Sequence, residues 1–196
     1  MTSNEVIFGK VSEEGKLMIE VERKFRIDSN KKASLIRKLT KFSEKIATVH
    51  QVDTVFLRNS ESFEGFKRGD PVVRVRIENN KATLTYKRAL NDQGDAVEHE
   101  MLIDPPGAGE EILKEVGFKL VTKISKERTN YKSGDISIAV DKVQSLGVFL
   151  EIETLCASEQ ELPSAQVKIM NKAKELGLNE SDIEPKKYDQ LMSKLR

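Results

Sequence analysis

Residues 19–27, IEVERKFRI, set Glu20, Glu22 and Lys24 on one face of an extended chain and Ile19, Val21, Phe25 and Ile27 on the other, because successive strand side chains point to opposite faces. The pattern recurs. Arg74 and Arg76 alternate with Val73, Val75 and Ile77, Lys87 ends a face begun by Thr83 and Thr85, and Glu98 and Glu100 follow Val97 on the opposite parity. Lys126 and Arg128 stand two apart, Asp141 opposes the Ile136, Ile138, Val140 face, and Glu151 and Glu153 bracket Ile152. Period-two or β-rich runs lie near 17–27, 44–57, 71–78, 81–88, 96–103, 120–131, 135–142 and 147–155, which makes about eight strands.

Charged strand residues most often face water on a half-covered sheet. Here, however, the charges are sorted into like pairs, Glu/Glu, Arg/Arg or Lys/Arg. A solvated sheet gains nothing from that sorting, since like neighbours are mildly destabilising. A closed barrel lined this way would offer clustered guanidinium and ammonium donors suited to polyphosphate oxygens. It would also offer clustered carboxylates suited to Mg²⁺ or Mn²⁺, hard cations that take oxygen ligands. The spacing alone permits either an open sheet or a barrel.

Asn79-Asn80 joins the runs at 71–78 and 81–88, and both side chains tolerate the positive φ of a tight hairpin. Short connections elsewhere predict antiparallel pairing. Three helices interrupt the strands and a fourth closes the chain. One spans 31–42, capped by Ser29 or Asn30, with Leu35, Ile36, Leu39 and Phe42 as its stripe. A second follows Pro105 and Pro106 through Ile112, Leu113 and Val116 to Gly117. A third opens at Pro163, carries Val167, Met170, Ala173 and Leu176 on one side and stops at Gly177. A short fourth lies at about 186–195.

With 196 residues the chain is most simply one domain, with residues 1–16 as an N-terminal extension. Its net charge of +1 gives no reason to expect nucleic acid or an anionic membrane as a partner. The lone Cys156 cannot form an internal disulfide, no stretch reads as a membrane helix, and the polar start lacks a signal-peptide core. A cytoplasmic protein is the expectation.

Glu20-Val21-Glu22-Arg23-Lys24 resembles the E-x-E-x-K signature of the CYTH superfamily, the triphosphate tunnel metalloenzymes. The order of the later pairs supports the likeness over about residues 18–192, and HQVDTVFL, ISKERTNY, LGVFLEIET and EPKKYDQLM are most similar to the class IV adenylyl cyclase branch. The resemblance implies an α+β fold, an eight-stranded antiparallel β-barrel flanked by helices, whose tunnel holds a triphosphate and a divalent cation. By the same likeness Glu20, Glu22, Glu151 and Glu153 would be the leading metal ligands, helped by Asp141 and Glu100, for Mg²⁺ or Mn²⁺. Arg74, Arg76, Lys87, Lys126 and Arg128 would grip phosphates. Lys24 would sit beside the reacting phosphate with Glu20 and Glu22 as the catalytic group, positioning it rather than acting as a base, because neighbouring carboxylates oppose a lowered lysine pKa.

Tunnel residues alone do not choose the reaction, since metals and cations stabilise the transferring group in hydrolysis and in cyclisation alike. Cyclases of that branch carry a His-Phe pair shortly before the first strand. This chain enters through Gly15-Lys16-Leu17-Met18, and Ile7-Phe8 lacks the histidine. Hydrolysis of a small-molecule triphosphate (inorganic, nucleoside or thiamine) therefore ranks first, conversion of ATP to cyclic AMP and pyrophosphate second, and a non-catalytic polyphosphate-binding module third; a homodimer stays open. GKVSEEGKL fails as a P-loop, because its glycine spacing is wrong, leucine replaces Ser/Thr and it precedes a strand. His50 and His99 lack a zinc spacing. Tyr188 either packs over the tunnel mouth or touches substrate, and the long polar stretch 59–70 is either part of the substrate's entrance or a loop tip with no role.

Overall fold

The computed structural model describes residues 18–58, 60–67, 69–91 and 95–195. The N-terminal extension, the P-loop look-alike and Ile7-Phe8 lie outside the described residues. Eight strands form the frame: β1 (Ile19–Arg26), β2 (Glu44–Arg58), β3 (Pro71–Glu78), β4 (Lys81–Ala89), β5 (Ala96–Ile103), β6 (Phe118–Ser133), β7 (Ile136–Val143) and β8 (Gly147–Cys156). They close into a barrel in the order β1-β5-β4-β3-β2-β6-β7-β8, with every neighbouring pair antiparallel. The 3–4 hairpin turns on Asn79 and Asn80 at φ 48° and 63°, the left-handed values that two-residue hairpins require.

The apolar parity of most strands faces outwards, so most of the hydrophobic core lies outside the barrel. Under helices α1 (Ser29–Phe42) and α3 (Leu162–Leu176), Val21 and Phe25 of β1, Ile138 of β7 and Leu150 and Ile152 of β8 pack with Leu35, Leu39, Ile169 and Ala173. Helix α2 (Pro106–Glu115) covers Phe56, Val73 and Val75 through Leu113. Full burial of each large apolar side chain is worth about 1.5–3 kcal/mol, so these two layers carry most of the drive to fold. Asp95, fully buried outside the barrel wall, accepts from Arg23 at 3.0 Å, Asn91 at 2.8 Å and Gln166 at 2.8 Å, which ties the 4–5 connection to β1 and α3.

Two helical expectations need correction. The buried stripe of α3 is Ala165, Ile169, Ala173 and Leu176, while Val167 is exposed; the barrel's curvature presents a narrower contact line than an apolar count suggests. Helix α1 begins after Asp28 rather than on a Ser29 or Asn30 cap, and only Leu35 and Leu39 of its stripe are buried. Gly177 ends α3 at φ 87° as expected. At one end of the barrel, a short α4 (Tyr188–Ser193) packs Tyr188, Leu191 and Met192 against Val55, Ile124, Val143 and Phe149. No helix among the described residues is long and apolar enough to cross a membrane.

Candidate active site

A cavity of about 460 Å³ fills the barrel. Strand alternation puts Glu20, Glu22 and Lys24, Arg74 and Arg76, Thr85 and Lys87, Glu98 and Glu100, Lys126 and Arg128, and Glu151 and Glu153 on its wall. Of the residues expected to share a site, only Asp141 is not on that wall. It is fully buried, with Arg128 donating to it from Nε at 2.7 Å and Nη2 at 2.5 Å and Lys126 donating at 3.3 Å. Its place in the structure is behind Arg128, which also pairs with Glu151.

The wall divides by charge. On the β1, β4 and β5 side, Lys87 Nζ lies 3.0 Å from Glu20, 3.7 Å from Glu22 and in contact with Glu98. Burial alone would lower the Lys87 pKa, but Glu20, Glu98 and Glu22 hold it well above the usual lysine range. The reverse holds for Glu22: burial pushes its carboxyl up, yet Lys187, Lys87 and Lys24 bring it well below the usual carboxylate range. Glu100 stands apart from this group and accepts from Thr85 at 2.9 Å and from Arg74 at 3.4 Å.

On the β2, β3 and β6 side the cations dominate. Arg76 donates to both oxygens of Asp53, at 2.7 and 2.8 Å, and Lys126 lies 3.8 Å from the same carboxylate. Lys126 is almost wholly buried, and burial, with the repulsion of Arg128, brings its pKa down to about 8 despite Asp141. Between the two sides, Lys24 Nζ sits 4.4 Å from the Tyr188 ring centroid and Lys126 Nζ 5.2 Å from it, within reach of a cation–π attraction. Burial lowers the Lys24 pKa, against the pull of Glu151 and Glu22.

Carboxylate oxygens are the donors that Mg²⁺ or Mn²⁺ takes, and Glu20, Glu22 and Glu98 converge on a single cation. That cation is now the Lys87 ammonium. Among the described residues, no three acidic, histidine or cysteine side chains stand close enough to enclose an ion as they lie. The donor chemistry therefore fits a divalent cation, which would displace Lys87 from the centre of the three carboxylates.

Residues 18–188 match the CYTH domain family. The chain belongs to that family. A Methanocaldococcus jannaschii protein provisionally named an adenylate cyclase is 30% identical over 89% of this chain and 98% of its own length. The PH1819 protein of Pyrococcus horikoshii, of solved structure, is 28% identical, superposes with a TM-score of 0.79 and is matched over 99% of its length by 90% of this chain. A Hippeastrum protein, provisionally named an adenylyl cyclase and described as revealing a dominant triphosphatase activity, shares the fold at 18% identity and a TM-score of 0.57, over 83% of this chain and 89% of that one.

Several residues of this CYTH barrel escape a reading of the sequence alone. Asp53 is the partner of Arg76 because the 2–3 pairing sets the two opposite each other, a register that no motif in the sequence marks. Of the Glu98/Glu100 pair, Glu98 is the member that joins Glu20 and Glu22 around Lys87. Lys187, which donates to Glu22 at 3.3 Å, arrives from a segment with no strand alternation to flag it. Tyr188 is both a packing residue and part of the cavity wall. His50 bonds Ser125 at 3.0 Å and His99 lies against Tyr86, and neither lines the cavity.

Proposed function

We propose that this chain hydrolyses a triphosphate inside its barrel with the help of Mg²⁺ or Mn²⁺. The observation that carries the reading is the meeting of two opposed charge sets in one cavity: Arg74, Arg76, Lys126 and Arg128 on one side and the Glu20, Glu22, Glu98 group on the other. A simple anion binder needs the first set and gains nothing from the second. Guanidinium forks match phosphate oxygens two at a time, so Arg74 and Arg76 would orient the chain of phosphates and Arg128 would hold its far side. Glu20, Glu22 and Glu98, with Glu153 next to them on β8, would hold the cation, which supplies charge neutralisation at the transferring phosphoryl group. Lys24, braced on the Tyr188 ring, positions a phosphate oxygen through its ammonium.

Water is the preferred nucleophile because neither histidine of the chain reaches the cavity and the His-Phe pair of the cyclase branch is missing before β1. The cyclase reading stays second, favoured by the name of the Methanocaldococcus jannaschii relative. One chromatographic assay separates them. The protein is incubated with Mg²⁺ or Mn²⁺ and, in turn, ATP, inorganic triphosphate and thiamine triphosphate. Orthophosphate without cyclic nucleotide is the expected product, and cyclic AMP with pyrophosphate would replace hydrolysis by cyclisation.

A further inference from the structure

The cavity lining turns apolar toward the mouth from which the 2–3 connection leaves. Val55, Val72 and Ile124 come from the strands there, and Phe63 and Phe66, with the carboxylate Asp70, come from the connection itself. Phe63 packs on the buried group that includes Phe149 and Tyr188. Its ring meets that of Phe66 edge to face, with centroids 5.3 Å apart and planes at 76°. Local bonds hold the two in place: the Phe66 N–H donates to the Phe63 carbonyl at 3.1 Å, the Lys67 N–H donates to Asp70 Oδ2 at 2.8 Å, and Gly65 supplies a φ of 73°. Both rings remain half-buried and face the cavity, so the turn presents a preformed aromatic surface.

Inorganic triphosphate is anionic throughout and has nothing to gain from such a wall. Its needs, N–H donors and a cation, are met by the strands. A planar aromatic group attached to the phosphates gains from burial there and from offset or edge contacts with the two rings. A cavity of this volume also lies within the range, about 300–1,000 Å³, that holds ligands of drug size. We infer that Phe63 and Phe66, backed by Val72, form a head-group subsite that selects triphosphates bearing a planar aromatic base over bare inorganic triphosphate. The inference rests on the triphosphate reading of the cavity and adds the substrate's organic part to it.

Calorimetric titration in Mg²⁺ tests it with non-hydrolysable imido analogues of ATP and of inorganic triphosphate. The quantity read is the ratio of the two affinities. Wild-type protein is expected to prefer the ATP analogue by about tenfold or more, the size of one stacked base, and the Phe63→Ala/Phe66→Ala variant to lose that preference. Phe66→Leu keeps apolar bulk while removing a ring, and its ratio falls part-way, which guards against a folding defect in the double variant. A ratio near one in wild type for the ATP analogue and for thiamine triphosphate alike, or one that neither variant moves, overturns the subsite and leaves the tunnel reading standing. Failure of both analogues to bind wild-type protein overturns the tunnel reading and the subsite with it. Thiamine triphosphate, titrated in parallel, tells a nucleobase from another aromatic head group: a preference for either that the variants abolish supports the subsite.

Discussion

Asp53→Asn separates a barrel interior held together by its ion pairs from one that merely tolerates them. Asp53 is 3% exposed and stands between Arg76, which binds both its oxygens, and Lys126. Burial pushes the carboxyl up, and Arg76, with Arg74 and Lys126 behind it, outweighs this and holds it far below the usual range. Asparagine keeps the shape and one acceptor but takes the anion from between two cations. Breaking a buried pair costs about 3–5 kcal/mol. Arg76 retains 17% side-chain exposure toward the cavity, so water can take up part of its charge and the lower figure, about 3 kcal/mol, applies. At about 2–4 °C per kcal/mol for a chain of this size, the melting temperature should fall by roughly 6–12 °C. Urea unfolding at pH 7 gives the free energy directly. A carboxyl with a depressed folded pKa stabilises fully above its unfolded value of about 3.9 and loses that stabilisation as pH falls through the folded one. The gap between wild type and Asp53→Asn should therefore stay constant through neutral pH and begin to close only below about pH 4. Equal unfolding free energies at pH 7 would refute the argument, and would mean that cavity water already screens the pair.

Three further outcomes follow from the same wall. Glu20→Gln should abolish metal-dependent turnover while leaving the melting temperature within a few degrees; full activity with Mg²⁺ would remove Glu20 from the cation's ligands. Lys87→Met leaves Glu20, Glu22 and Glu98 without their shared cation, so the metal-free protein should melt earlier and Mn²⁺ should raise its melting temperature more than it raises that of wild type, as thermal scans with and without the ion will read. Lys126, with a folded pKa of about 8, gives up its proton before the unfolded chain does at about 10.4. Stability should therefore rise between those values while affinity for imidotriphosphate falls through about pH 8, and Lys126→Met should flatten both trends.

The strands were legible because their charge pairs and apolar pairs keep strict opposite parity: 71–78 and 96–103 match β3 and β5 end to end, and β2 and β6 run only one to two residues past their expected limits. Closure of the barrel was not legible from spacing, since alternation fixes which face a residue takes and says nothing about whether the sheet's edges meet. The site was half legible for a related reason. Parity placed Glu20, Arg76 and Lys126 on one surface, whereas partnership depends on strand order and stagger. That stagger separates Glu98 from Glu100 and gives one to Lys87 and the other to Arg74. Lys187 and Tyr188 come from outside the sheet altogether, brought in where α4 packs on the barrel end. The Val167 expectation failed because a three-turn apolar count cannot tell which of two adjoining faces a curved sheet will cover.

A barrel filled with charge and coated with hydrocarbon should also melt in its own calorimetric style. Exposing apolar surface raises the heat capacity and exposing polar surface lowers it, which leaves ordinary domains with about 12–15 cal/mol/K per residue on unfolding. Here the interior contributes carboxylates, guanidinium groups and ammonium groups to the exposed surface, where a usual barrel would contribute aliphatic side chains. The heat-capacity increment should fall below that range, and the dependence of stability on temperature should be correspondingly flat, resisting cold as well as heat for a given maximum.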